Sequence, residues 1–297
     1  MMMKWRVWFT VLISLGAITA SLYPVNAQYP SFSSEAKQSS AKEETPELPS
    51  LPEALPDAYR PDGSGIVGGT PDVGTLIGIG HLRPRRLNFF GTVDSFDDQE
   101  DSTAGLLNAG WLKTMRLPIY ESPGGRHWGW IANGWLIPNG YEPLAIGKDV
   151  SFLMLHTYNS LYSFPVLEIR LDGWFRFQYS SAGTAWAHTS QLKLGELELI
   201  VESWQDRFLD VGWIYFRNDQ VRHALRTRPG VEQILMSWIG NDSFIEPIEF
   251  RGDWMRVRVT QPVNGCEFLP NTTTTEGWMR WRNAEQGAWI WYPTKGC

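Results

Sequence analysis

Four short stretches of the chain repeat one pattern: a small or acidic residue, then Trp, then alternating apolar and polar positions. They are Gly173-Trp-Phe-Arg-Phe-Gln178, Gly212-Trp-Ile-Tyr-Phe-Arg217, Asp253-Trp-Met-Arg-Val-Arg258 and Gly277-Trp-Met-Arg-Trp-Arg282. In an extended chain successive side chains point to opposite faces. In three of the copies this puts Phe175/Phe177, Met255/Val257 and Met279/Trp281 on one face, with the leading Trp and the following Arg on the other. The first face predicts a buried core, and the second a pairing of aromatic ring and cation. Periodicity of this kind commits the chain to β-structure.

The rest of the sequence from about Leu106 agrees. It is dense in Trp, Phe, Tyr, Val and Ile and is broken by Pro-Gly-Gly, Pro-Asn-Gly, Gly-Asn-Asp and Pro-Val-Asn-Gly, which read as turns. Helical periodicity is scarce, with room for a helical turn in Ala187 to Ile200 and in Gln220 to Thr227. The two halves carry the same order of signals. In the first, Leu117-Pro-Ile-Tyr-Glu-Ser-Pro-Gly-Gly125 precedes Pro165-Val-Leu-Glu-Ile169, Asp172-Gly-Trp-Phe-Arg-Phe177 and Gly183-Thr-Ala-Trp-Ala-His188. In the second, His223-Ala-Leu-Arg-Thr-Arg-Pro-Gly230 precedes Ile245-Glu-Pro-Ile-Glu-Phe250, Gly252-Asp-Trp-Met-Arg-Val257 and Glu276-Gly-Trp-Met-Arg-Trp281. The order predicts an internal repeat of about 85 residues.

At these residues the chain resembles bacterial SH3-like (SH3b) domains, whose outline is a v-y-x-x-P opening, a gW-x-x-V strand and a closing G-W-V. The first half matches in Leu117-Pro-Ile-Tyr-Glu-Ser-Pro123, Gly173-Trp-Phe-Arg-Phe177 and Trp186-Ala-His-Thr-Ser-Gln-Leu192. The second departs from the outline: its opening lacks the Tyr, and a long loop from Thr260 to Glu276 is expected in its closing hairpin. The resemblance implies tandem five-stranded barrels that serve as binding modules, in exported bacterial proteins often directed at cell-wall peptide or glycan.

The expected organisation is a signal peptide over 1–27, a disordered Pro/Ser/Glu-rich linker over 28–65, an irregular Gly-rich and acidic segment over 66–104, a first barrel over 105–193, a connector over 194–206, and a second barrel over 207–297. Lys4 and Arg6 precede an apolar run, and Val25-Asn26-Ala27 supplies small residues before a cut ahead of Gln28. Such a chain is exported, periplasmic or secreted, and would touch a membrane only if that segment stayed uncleaved. The linker is too poor in large apolar residues to order itself. Ile66-Val-Gly-Gly69 echoes the start of trypsin-like proteases, but no matching nucleophile or histidine segment follows.

The formal net charge is -6. It becomes more negative once Lys4 and Arg6 leave with the signal, which argues against a nucleic-acid partner. The only two cysteines, Cys266 and Cys297, are expected to form a disulfide in an oxidising compartment. No catalytic Cys/His or Ser/His/Asp set is legible, and His81, His127, His156, His188 and His223 lack metal-ligand spacing. No cofactor and no metal are therefore expected, and the chain reads as a non-enzyme.

The candidate ligand-binding residues are Tyr120, Trp174 and Trp186 with Arg176 in the first half, and Trp254, Trp278 and Trp291 with Arg256 and Arg280 in the second. Trp beside Arg offers stacking and cation-π surface. Three destinations follow for these faces: a groove for wall peptide or glycan, a surface packed on another envelope protein, or a face covered by residues 66–104 or the other barrel. A small carbohydrate hydrolase on an unrecognised β-fold is the remaining enzymatic alternative, since two carboxylates leave no sequence signature.

Overall fold

The computed structural model describes residues 45–53, 55–59, 61, 65–69, 77–85, 109–158, 161–283 and 287–293. The expected signal segment, the acidic run Asp94 to Asp101 and Cys297 lie outside these residues.

The protein is all-β, with several antiparallel sheets and one short α-helix among the described residues. Its first half contains β1 (Ile66–Gly69), β2 (Gly80–Pro84), β3 (Arg116–Tyr120), β4 (His127–Ala132), β5 (Trp135–Pro138), β6 (Leu144–Ala145), β7 (Phe152–Tyr158), β8 (Leu161–Ile169), β9 (Trp174–Gln178), β10 (Thr184–His188) and β11 (Leu199–Ser203). The main path through this sheet runs β1-β7-β8-β9-β10-β3-β4-β5-β6, and a side branch carries β11 onto β2 and β2 onto β8. The run β11-β2-β8-β9-β10 is thus five strands wide, with the 3-10 turn Thr189–Gln191 between β10 and β11. Two of its strands, β2 and β11, come from the segments expected to be irregular and connecting. Phe175 and Phe177 lie fully buried in the core of this half, beside Phe164, Val166, Leu117 and Ile119.

A helix then opens the second half. Ser203 caps α1 (Trp204–Asp210): its hydroxyl accepts from the Asp206 N–H and donates to the Asp206 carboxylate. Trp204, Arg207 and Phe208 fall on one buried face at helical spacing. Gly212, with φ of 79°, ends the turn in the left-handed region that glycine tolerates.

The strands after it are β12 (Tyr215–Phe216), β13 (His223–Arg226), β14 (Leu235–Ile239), β15 (Phe244–Arg251), β16 (Trp254–Asn264), β17 (Glu267–Arg280), β18 (Arg282–Asn283), β19 (Gly287–Ala288) and β20 (Ile290–Trp291). Five of them form one sheet in the order β14-β13-β17-β16-β15. Met255, Val257, Met279 and Trp281 are buried in its core, so the alternation rule assigns the inner face correctly in both halves.

Two expectations are corrected here. Gln220 to Thr227 is not helical: its centre is β13, where Leu225 fills the core and Arg226 pairs with Trp278. Thr260 to Glu276 is not a loop either. β16 and β17 are paired from Trp254↔Arg280 to Gln261↔Thr273, and again, after a register shift that bulges out Leu269 to Thr272, at Val263↔Phe268 and Asn264↔Glu267, leaving Gly265 and Cys266 as the turn. The β-branched run Thr272 to Thr275 suits a pleated ladder better than a loop.

The halves share a junction. Ile77 and Leu155 of the first half are buried in the second core, the Trp204 indole donates to the Ile77 carbonyl at 2.7 Å, and the Tyr292 hydroxyl donates to the Thr157 carbonyl. The end of the expected linker also packs onto the first half. Leu55 lies against Trp130, Ala132 and Ile137. The Tyr59 N–H donates to the Asn133 carbonyl at 2.8 Å, and the Trp135 indole donates to the Asp57 carbonyl at 2.9 Å.

Candidate functional site

The outer faces of the two sheets carry the same row of residues. In the first, Glu168 stands opposite Arg176, Arg176 opposite Trp186, and Trp186 opposite Tyr120 across β8-β9-β10-β3. In the second, Glu249 stands opposite Arg256, Arg256 opposite Trp278, and Trp278 opposite Arg226 across β15-β16-β17-β13. Each row is preceded by a register shift at the same place, between Val166 and Glu168 and between Pro247 and Glu249. A bulge repeated at corresponding positions, followed by the same residue types, is what an internal duplication leaves in a sheet. The two sheets thus present Glu, Arg and Trp in the same register, with Arg176, Arg256 and Trp278 drawn from the repeated sequence stretches.

In the first row the Arg176 guanidinium lies 5.8 Å from the centre of the Trp186 ring and 3.6 Å from the Glu168 carboxylate. Trp186 is half-buried. Trp174 is 5% exposed. It lies outside the Phe175/Phe177 core cluster, covered instead by Tyr120 edge-on at 5.0 Å and His188 at 5.2 Å. Tyr120 is buried as well. Its hydroxyl accepts from the Gln191 amide at 2.8 Å, and burial raises its pKa against the lowering effect of that bond. His127 meets Tyr120 edge-on and Trp130 edge-on in turn. Around Tyr120 the aromatic side chains thus cover one another. Trp186 and Arg176 are the members of the predicted set in this half that keep surface open.

In the second row Trp278 is 6% exposed, and its cover is arginine. The Arg251 guanidinium lies 4.8 Å from its ring centre, and Arg226 and Arg256 are its cross-strand neighbours. Trp254 is half-buried beside its partner Arg280. Both Arg176 and Arg256 keep a buried Nε without a hydrogen-bond partner. Trp291 does not belong to this face. It is 2% exposed inside the second core, against Tyr292 at 4.7 Å, Trp204 at 4.9 Å and Phe208 at 6.2 Å. The short strand β20 turns it inward because it pairs with β12 under the sheet core rather than along the outer face. Cys266, at the tip of the long hairpin, is disulfide-bonded.

Sequence reasoning missed one constellation. Ser163, His81 and Glu202 come together from β8, β2 and β11, at distances in sequence that leave no motif. His81 Nδ1 lies 2.9 Å from Ser163 Oγ, and His81 Nε2 lies 2.6 Å from Glu202 Oε2. Arg83 grips the same carboxylate through Nε at 2.7 Å and a terminal nitrogen at 3.0 Å, and Thr157 Oγ1 lies 2.9 Å from Ser163 Oγ. Burial lowers the His81 pKa to about 4 despite the pull of Glu202. Burial also opposes charge on Glu202, but the bonds from His81 and Arg83 prevail and hold its carboxyl at about 2. At neutral pH the ring is therefore neutral: it donates through Nε2 to Glu202 and accepts from Ser163 at Nδ1. Ser163 is 0% exposed, so no substrate carbonyl reaches its oxygen. The arrangement is a structural lock between strands, with Trp204 stacked on His81 at 4.6 Å. No group of three or more His, Cys, Asp or Glu able to hold a metal ion occurs among the described residues.

No family model, no curated protein and no solved structure matches the chain. No helix among the described residues is long and apolar enough to cross a membrane.

Proposed function

We propose that the protein is an exported, non-catalytic binding protein whose tandem SH3-like modules recognise cell-wall peptide or glycan through their outer Trp/Arg faces. The observation that carries this reading is the Glu-Arg-Trp row present in the same register in both sheets. The half-buried rings of Trp186 and Trp254 and the guanidinium groups beside them supply stacking, cation-π and directed hydrogen bonds to an extended ligand. The five-strand run β11-β2-β8-β9-β10, with its 3-10 turn before the last strand, supports the SH3-like element of the reading. The apolar N-terminal run and the bonded Cys266 support export.

Retention of the chain on purified peptidoglycan sacculi tests it, with Trp186→Ala and Trp254→Ala as variants because both rings are only half-buried. The parent is expected to be retained, and each folded variant to be retained less. Loss of retention by one variant alone identifies the module responsible. No retention of the parent removes the proposal.

A second reading, an assembly role on another envelope protein, is favoured by the edges of the second sheet. β15, at one edge, carries Pro247, a register shift and the charged Glu246, Glu249 and Arg251, which disfavour strand addition. β14, at the other, has no charge, and its Leu235, Met236 and Trp238 are exposed. If sacculi do not retain the chain, this edge becomes the place to look for a protein partner.

A further inference from the structure

The two rows differ where it matters for charge. The first ends on Tyr120 and the second on Arg226. Two residues beyond the row Trp, the first half has His188 and the second Arg280. The second face thus adds the cations Arg226 and Arg280, and also the cross-strand pair Arg258 and Glu276 where the first has Gln178 and Thr184.

The arginines around the row Trp are paired only loosely with the carboxylates beside them. Glu249 is hydrogen-bonded to Arg251 at 2.6 Å, Glu276 to Arg258 at 3.0 and 3.2 Å, and Asp253 to Arg282 at 2.8 Å. Each carboxylate makes these hydrogen bonds to an arginine outside the set formed by Arg226, Arg256 and Arg280, and reaches Arg256 and Arg280 only as ion pairs at 3.7 to 4.0 Å. Arg256 comes no closer than 3.7 Å to a carboxylate oxygen, and Arg280 no closer than 3.8 Å. Arg226 donates to the backbone carbonyl of Gln233 at 2.6 Å, and Glu232 acts on it only at longer range. All three flank one ring: Arg226 and Arg256 lie across strands from Trp278, and Arg280 lies two positions further along β17 on the same face. Two strand spacings set the Arg226 and Arg256 backbones roughly 10 Å apart. This concentration of positive charge sits in a chain whose net charge is -6.

We propose that the second face binds free carboxylates of a peptide, so that the wall ligand is recognised at the acidic groups of its peptide part. The inference rests on the wall-binding reading given above and specifies its ligand. A planar guanidinium donates paired hydrogen bonds to a carboxylate, and three of them within reach of one ring select an acidic chain. A neutral sugar is held by stacking and neutral hydrogen bonds, for which the first face, without the added cations, is already sufficient.

The test uses the full chain on two preparations of the same sacculi, one untreated and one whose carboxyl groups have been converted to amides with carbodiimide and ammonium. Retention is expected to fall at least tenfold on the amidated preparation, and to fall similarly on the untreated one at 0.5 M salt, a concentration of order several times physiological. An Arg226→Gln/Arg280→Gln double variant is expected to behave on untreated sacculi as the parent does on amidated ones, while Arg222→Gln, an exposed arginine of the same half paired with Asp242 outside both rows, keeps its retention. Circular dichroism melts establish that each variant is folded. Equal retention of the parent on both preparations overturns the carboxylate assignment and leaves wall binding in place. Unchanged retention of the double variant overturns the assignment to this face. Retention on neither preparation overturns both proposals together.

Discussion

Arg176 and Arg256 occupy the same point in two separate sheets. Each has a glutamate on one side, at 3.6 and 3.7 Å, a tryptophan on the other, and a buried Nε without a hydrogen-bond partner. Ion pairs at such distances between part-exposed groups contribute little to folding; under the binding proposal the same guanidinium groups contact the ligand.

Replacing Arg256 with methionine separates the two roles. Methionine fills the space of the arginine stem against Trp278 while removing both the charge and the unpaired N–H. The expected result is a stability within about 1 kcal/mol of the parent in urea unfolding, together with weaker retention on sacculi. A large loss of stability would show that the row is a structural element instead.

Much of this was readable in the sequence. The period of two placed Phe175, Phe177, Met255, Val257, Met279 and Trp281 on the inner face correctly, because alternation is a local property of an extended chain. The same rule put Trp174, Trp254 and Trp278 with the arginines, also correctly, but it is silent on what covers a face. Tyr120 and His188 cover Trp174, and arginines cover Trp278; both are cross-strand effects set by register. Trp291 was misread because it follows no alternating run long enough to reveal its direction. The Ser163, His81 and Glu202 lock was invisible because three strands far apart in the chain build it.

The linker's end is predicted to be a removable clasp. Asn133 and Gly134, both at positive φ, form the tight turn between β4 and β5, and a Cβ on Gly134 would overlap the Tyr59 carbonyl oxygen. Gly134→Ala is expected to displace residues 55–59 and to speed chymotryptic cleavage after Tyr59. Trp135→Phe, which removes the indole bond to the Asp57 carbonyl and trims the ring packed on Tyr59 at 5.5 Å, is expected to do the same more weakly. Equal cleavage in all three chains would mean that the contact does not protect the segment.

The disulfide at Cys266 should matter for stability even though the residue sits at an exposed hairpin tip. If Cys297 is its partner, the bond closes a loop of about 30 residues, which on the chain-entropy model stabilises by roughly 3 to 4 kcal/mol. Reduction, or Cys266→Ser, is expected to lower the urea midpoint by a corresponding amount while leaving the far-ultraviolet spectrum unchanged. An unaltered midpoint would show that the native hairpin gains nothing from the cross-link.

Acid should weaken the fold from a higher pH than its carboxylates require. His81 is held at about 4 by burial, which outweighs the pull of Glu202. His223 is held at about 4 by burial too, stacked on Phe216 at 4.0 Å. Both histidines are neutral in the folded protein where an unfolded histidine, with a pKa near 6.5, already binds a proton. The unfolded state therefore takes up more protons between those values, and stability, complete above about pH 6.5, falls as the pH drops toward 4. Glu202, held at about 2 by His81 and Arg83 against its own burial, has the ordinary acid signature. Its contribution is present above the unfolded value near 4.5 and disappears only as the pH falls through 2. Melting temperatures measured from pH 7 to pH 4 are expected to fall in the parent and to fall less in His223→Phe, which keeps the stacked ring and loses the titration. Glu202→Gln leaves Arg83 without its carboxylate in a buried site. It is expected to cost about 3 to 5 kcal/mol at neutral pH, and a cost below 1 kcal/mol would show that the lock does not hold β2, β8 and β11 together.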